Sequence, residues 1–401
     1  MARGVRSAGF VAYYRRYTKT WVHALATAML TIFGILTFVH PGFAAVAVAS
    51  YVLPPVLLYA AGRDPTPAGV GSRGTATDEP GIGDSDPDPG ATTDPEPGRD
   101  GEGDSADRGD RPARWTAVET PTDADLFDAV LADDRAFAVG DDGVVLTASG
   151  EGWRVVLEDG PGANEEALWG ADATDDGRAV WAAGDGGALA RLDAETGRHV
   201  DHSAPRGITD NWTDVAVGGE GGDEAVLLAN GSGEVLRGRY REGEVAWDAP
   251  TKPGSGSSIA AVALEGGAGF VCDTNDDVFE TTDGGESFRR IGIDDVDGTL
   301  TDLAVTDSGD PAASGDDGVV YRSDAGNWTP VRVDDDAILA LAFRDGRGVA
   351  CGDEGVVYES AGGATDWERI ATPATGTLRG IAIGAQRAVA VGDDGLAVER
   401  G

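Results

Sequence analysis

Lysine is almost missing from this chain of 401 residues: Lys19 and Lys252 are the only two, so nearly every positive charge is an arginine. Against 31 basic residues stand 70 acidic ones, for a net charge of -39. A field of that sign repels phosphate backbones, which excludes nucleic acid as a partner. The acids are scattered through the chain and do not gather into one patch. They read as a surface adapted to concentrated salt, where carboxylates hold hydration and screening weakens their mutual repulsion. Cysteine is equally scarce, with Cys272 and Cys351 alone, which rules out a disulfide framework and a cysteine-rich zinc site. Of four histidines, His23 and His40 fall in apolar sequence. His199 and His202 lack a third ligand and are expected as an exposed loop pair, with no metal or other cofactor.

What the chain has in abundance is glycine, 61 residues of it, recurring in a pattern. Gly-Asp-Asp-Gly-Val-Val stands at 140–145 and again at 315–320, with variants at 184–187, 352–357 and 392–395 and looser copies at 230–235 and 274–278. The spacing runs from 37 to 46 residues, the length of a four-stranded propeller blade. Seven copies predict an all-β, seven-bladed β-propeller of the WD40/YVTN-like kind. Cys272 and Cys351 then take matching positions in the non-adjacent blades four and six, too far apart to bond, as small buried apolar residues.

Before the repeats come three segments of different character. Residues 1–19 carry five basic residues and no acid, and read as a cytoplasmic terminus. Residues 20–62 hold two apolar stretches separated by His40-Pro41-Gly42, each near the ~20 residues that cross a bilayer, and predict a two-helix transmembrane hairpin. The cell membrane is thus one expected partner, and a two-pass hairpin leaves the propeller on the cytoplasmic side. Two features favour the outside. Arg15-Arg16-Tyr17-Thr18-Lys19 resembles a twin-arginine export signal, and Asn211, Asn230 and Asn327 each head a glycosylation sequon. Residues 63–111 are Asp, Glu, Pro, Gly and Thr, with Val70 and Ile82 the only large apolar side chains. They predict a disordered, self-repelling linker.

From residue 112 to 401 each repeat opens on an apolar, alanine-rich run, at 126–131, 168–173, 212–217, 259–264, 300–305, 338–343 and 378–383. These are the expected inner strands, packed between neighbouring blades. The fourth strand carries a recurrent aromatic: Trp153, Trp247, Phe288, Trp328 and Trp367. The last repeat stops after its third strand, and 114–118, Arg-Trp-Thr-Ala-Val, matches the missing fourth. The N-terminal strand should therefore close the ring, leaving no open edge.

Thr281-Thr282-Asp283-Gly284-Gly285-Glu286-Ser287-Phe288 matches the Asp-box, Ser/Thr-x-Asp-x-Gly-x-Thr/Ser-Trp/Phe. By this motif and the repeat, the chain resembles the BNR-type propellers that include photosystem II stability/assembly factor-like and sortilin-like proteins. The resemblance implies a structural turn in which Thr281, Asp283, Gly285, Ser287 and Phe288 organise a hairpin, with no catalytic role. The Arg-Ile-Pro start signature of sialidases is missing, and Tyr321 and Tyr358 recur at one repeat position, as packing residues do. Calcium has weak candidates in residues 273–277 and 294–298, which complete no EF-hand pattern. Asp128, Asp214 and Asp302 share one inner-strand position. They either ring the channel mouth, binding a cation or basic peptide, or cap a neighbouring blade's backbone. The chain reads as a membrane-tethered, monomeric, non-enzymatic scaffold for an unidentified protein partner. The alternatives are an extracytoplasmic ligand- or glycan-binding propeller and, behind it, a glycoside hydrolase or lyase.

Overall fold

A computed structural model describes residues 114–401 apart from 151, 294, 295, 363 and 364. The basic terminus, the apolar hairpin of 20–62 and the linker of 63–111 lie outside the described residues, within which no helix is long and apolar enough to cross a membrane. The described chain folds into seven four-stranded antiparallel sheets. The inner strands are β2 (Leu126–Ala132), β6 (Leu168–Ala173), β10 (Trp212–Glu220), β14 (Ile259–Glu265), β18 (Leu300–Val305), β22 (Ile338–Arg344) and β26 (Leu378–Ile383). Each packs against the next, and β26 returns to β2, so the seven sheets close into a ring.

Closure uses the N-terminal strand. Strand β1 (Thr116–Val118) pairs antiparallel with β28 (Ala397–Arg400), matching Thr116 to Glu399 and Val118 to Ala397. Trp115, only 4% exposed, enters a core shared with Val357, Leu378, Ile381 and Val398. Blade 7 is thus assembled from both ends of the described chain.

The inner strands pack between neighbouring blades as expected, with one refinement: the most deeply buried layer is the second strand of each blade. Strands β3 (Arg135–Gly140), β7 (Ala179–Gly184) and β27 (Ala388–Gly392) are buried almost throughout, while the inner strands keep partly exposed positions on the channel. A second strand has neighbours on both edges and both faces; an inner strand has one edge free. A correction concerns blade 4, where Phe288 precedes the short fourth strand β17 (Arg289–Arg290) and does not lie within it.

The repeated Gly-Asp-x-Gly follows from how its turn is tied down. In blade 1 the Asp141 amide donates to the Asp125 carbonyl at 2.8 Å, pinning the turn to the residue before the inner strand. That contact leaves no room at Gly140, where a Cβ would lie 2.1 Å from the same carbonyl oxygen. The turn then takes two left-handed residues, Asp142 at φ 57° and Gly143 at φ 76°. Aspartate tolerates the first, and the second needs glycine because the backbone of Gly160 passes within 2.6 Å of where its Cβ would sit. Blades 2, 6 and 7 repeat the pattern at Gly186–Gly187, Glu354–Gly355 and Asp394–Gly395.

Candidate functional site

All seven inner strands carry the same irregularity. Their pairing with the second strand slips by one residue immediately after the first position, leaving Phe127, Trp169, Thr213, Ala260, Thr301, Leu339 and Arg379 without a cross-strand partner. A β-bulge of this kind re-aims the extra side chain. Equivalent positions in seven blades lie on one ring about the propeller axis. This ring surrounds the channel at the end where the Gly-Asp-x-Gly turns sit, since Leu126 pairs with Gly140. At two seams of the ring adjacent blades touch. The Thr301 hydroxyl donates to the Ile338 carbonyl at 2.5 Å, and Phe127 stacks on Trp169 with ring centroids 4.2 Å apart and planes inclined by 15°.

Trp169 is 41% exposed, and with Val200 it makes up the large apolar side chains exposed among the described residues. Its indole N–H donates to Asp185 Oδ1 at 2.8 Å, in the turn of its own blade. Arg379 makes the corresponding bond to Asp393 at 2.6 Å. The indole is thus fixed on one side by Phe127 and at its edge by a carboxylate. Sequence reading placed both aromatics in ordinary inner strands; only the bulge turns them to the mouth.

Just inside the bulge ring stand Asp128, Asp214 and Asp302, on blades 1, 3 and 5. Each carboxylate caps two backbone amides. One oxygen accepts the amide of the following residue (Ala129, Val215 or Leu303) at 2.7 Å. The other accepts the matching amide of the next blade (Ala171, Val262 or Leu341) at 2.8 Å. Three aspartates therefore serve six blades. The intervening blades carry small residues at that position, and a Cβ on Gly170 would come within 2.4 Å of Asp214 Oδ1. Asp172, which the comparison of repeats missed because it sits two residues further along β6, makes the same double contact with Ala173 and Val217. Burial pushes Asp128 up to about 8, the caps from Ala171 and Ala129 oppose the shift, and Asp302 across the channel adds to it. Asp214 is raised well above the usual range by burial and then by Asp128. Asp302 is raised by burial to about 6.

The Asp-box residues form a closed polar turn between β16 (Val278–Thr281) and β17. Asp283 accepts from the Thr281 hydroxyl at 2.8 Å, from the Ser287 hydroxyl at 2.6 Å and from the Ser287 amide at 2.9 Å. The Ser287 contacts and then Thr281 pull Asp283 down to about 2. The Gly285 amide donates to Thr281 Oγ1, and Phe288 packs against the core of Leu227, Val262 and Phe279. Glu286 reaches back to Arg237 of blade 3 at 3.0 Å, so this turn also ties two blades together.

His202 is not the exposed loop residue expected. It is half-buried, stacked on Trp181 at 5.2 Å and edge-on to Tyr240 at 5.9 Å. Beside it Glu224, with no side-chain exposure, accepts from Trp181 Nε1 at 2.6 Å and from Arg191 at 2.5 Å. Burial, with the Arg191 charge second, holds the His202 imidazole below its ordinary value. His199 remains exposed, and no metal-holding group of three ligands exists among the described residues. Asp273 turns its carboxylate onto the amides of Asn275 and Asp277, and Asp294 and Asp295 lie outside the described residues. Tyr321 and Tyr358 are buried, their hydroxyls on Asp317 and Asp334. Cys272 and Cys351 are buried free thiols.

One cavity, of about 370 Å³, opens between blades 4 and 5 away from the mouth, lined by Phe270, Glu280, Arg289, Arg290 and Asp310 among others. Its arginines are already ion-paired, Arg289 with Glu280 and Arg290 with Asp277, and the groove gathers no convergent set of unpaired groups. The mouth is the better candidate because its exposed ring is positioned by its surroundings.

No family model matches the chain, and no curated protein matches it in sequence. Solved structures do. The WD40 β-propeller domain of Doa1 matches 72% of this chain and 97% of its own, at 13% identity and a TM-score of 0.58. YCF48 from Cyanidioschyzon merolae matches 72% and 99%, at 17% identity and 0.58. A structure of YCF48 bound to D1 peptide matches 71% and 94%, at 14% identity and 0.57. At these identities the likeness speaks for architecture alone: the chain carries a seven-bladed β-propeller.

Proposed function

We propose that this chain is a membrane-tethered, non-enzymatic propeller that holds a protein partner at the channel mouth bearing the Gly-Asp-x-Gly turns. Residues 20–62 place it at the cell membrane, residues 63–111 give the ring reach, and the basic residues before them set the propeller on the cytoplasmic side. The observation that carries the reading is the Phe127–Trp169 pair, an exposed aromatic surface locked by stacking and by Asp185. Aromatic side chains held in this way bring large contact area with little conformational entropy left to lose. The propeller neighbours support a binding role by analogy of fold, and one of them was solved with a peptide bound. No observation favours the hydrolase or lyase alternative, since the two recurrent tyrosines are buried packing residues. The test is cross-linking in intact cells, followed by capture of the full-length protein and mass spectrometry, beside a Trp169→Ala variant. A recurrent partner lost in the variant is expected. Recovery of the same proteins from both would sink the assignment of the mouth.

A specific feature keeps the extracytoplasmic reading in play. Asn327 and Asn211 are exposed, whereas Asn230 is 1% exposed with its Oδ1 on the amides of Ser232 and Glu234. An intact-mass measurement decides between the sides: glycan on Asn327 would move the propeller outside, and an unmodified mass agrees with the cytoplasmic reading.

A further inference from the structure

We infer that the Phe127–Trp169 surface is a receptor for a cationic side chain, arginine or lysine, presented by an extended segment of the partner protein. This rests on the interaction reading above and names the chemistry of its ligand.

Phe127 covers one face of the Trp169 ring, so its exposure belongs to the other face and the rim. An aromatic face attracts a cation through its quadrupole, and tryptophan does so best. The indole N–H is engaged by Asp185, which sets a carboxylate at the ring's edge. Glu166 approaches the next residue, its Cδ 3.1 Å from where a Cβ on Gly186 would stand. An aromatic face bordered by carboxylates is a cage for positive charge. Arg379, the one cation on the bulge ring, does not cancel this field, because Asp393 already neutralises it.

The alternatives fare worse on charge. An acidic or phosphorylated segment would meet Asp185 and Glu166 at close range. A sugar could stack on the same ring, but it would leave the surrounding carboxylates without a counter-charge. The contact survives salt better than an exposed ion pair does, since part of it is stacking against a surface that excludes water.

The experiment is a titration of full-length protein in detergent, followed through the tryptophan indole signals in a ¹⁵N-correlated NMR spectrum, with Trp169→Phe identifying the Trp169 signal. Three probes are compared: N-acetyl-Gly-Gly-Arg-Gly-Gly-amide, the same peptide with neutral citrulline for arginine, and maltotriose. The arginine peptide should shift the Trp169 signal saturably. The citrulline peptide should bind about 2–5-fold more weakly, and Asp185→Asn should weaken the arginine peptide by a similar factor. Equal binding of the arginine and citrulline peptides overturns the inference, as does a Trp169 signal that moves with maltotriose alone or with none of the probes. The two readings fail separately. A partner captured in cells through Trp169 while the arginine probe fails would overturn the cationic specificity and leave the interaction reading standing.

Discussion

In blades 1 to 6 the amide three residues into the inner strand is capped by an aspartate, one carboxylate for each pair of blades. Blade 7 has Gly380 at the capping position, where a Cβ would stand 2.5 Å from Asp128 Cα. A carboxylate has two oxygens and can bridge two blades. Seven blades therefore leave one over, and it is the blade made from both ends of the described chain. That blade is held from the outside. Glu359 of blade 6 accepts from Trp115 Nε1 at 2.6 Å and pairs with Arg400 at 3.1 Å. Glu399 of blade 7 accepts from Trp153 of blade 1 at 2.7 Å and from Arg387 at 2.7 Å. The difference teaches that the ring is secured by two kinds of polar contact: inner carboxylate clamps, which leave blade 7 out, and outer pairs, which cross the closure as they also cross the seams on either side of blade 3.

The sharpest way to break this division is Glu399→Ala. It strips partners from Trp153 and from Arg387, whose side chain is only 16% exposed. Arg387 keeps the Asp134 and Ala148 carbonyls, so losing this partly exposed pair and the Trp153 acceptor together costs about 2–3 kcal/mol, and the loss should begin at the closure. Hydrogen exchange should show β1 and β28 opening before the inner strands; exchange that rises evenly round the ring would dissolve the distinction between the two kinds of contact. Asp214→Ala is expected to cost about 2 kcal/mol, since it bares the Val215 and Val262 amides together. Asp214→Asn, which keeps one acceptor, should cost about half as much, and chemical denaturation of the two variants tests that ordering.

The smallest effect is the dependence on pH. Asp302 at about 6 and Asp128 at about 8 both lie above the usual aspartate value of 3.8, so the folded ring holds these protons more tightly than the unfolded chain. Their contribution is full below about 4 and is lost as pH rises through 6 for Asp302 and through 8 for Asp128. Asp283, held at about 2, acts the other way and only in stronger acid. At constant high salt the melting temperature should therefore fall between pH 5 and pH 8.5, and less steeply in Asp302→Asn. A melting temperature that climbs over that interval would contradict the buried, mutually repelling arrangement of the channel carboxylates.

Much of the ring was legible in the sequence because each blade repeats its own local chemistry. The turns announced themselves through Gly-Asp-x-Gly, and all seven inner strands begin where the apolar runs begin. The closing strand was legible because Trp115 copies the fourth-strand tryptophans of other blades. The candidate site was far less so. Asp128, Asp214 and Asp302 stood out as a recurrent position, but Asp172 did not, being offset by two residues. Nothing in the one-dimensional pattern marks the slip after Leu168 that turns Trp169 outward, because an apolar residue in an apolar run reads as core. His202 was misjudged for a related reason: what buries it is Trp181 and Tyr240, 21 and 38 residues away.

The sequence by itself determined the number of blades, their boundaries, the turns between them and the strand that closes the ring. These depend on backbone conformation and hydrophobic pattern within about 40 residues, and such short-range preferences are written locally. Tertiary structure alone decided which side chains face the channel, which carboxylates serve two blades, and that one tryptophan lies open at the mouth. Those outcomes depend on contacts between equivalent positions about one blade apart, and on a bulge that forms only when inner and second strands are paired within the closed ring.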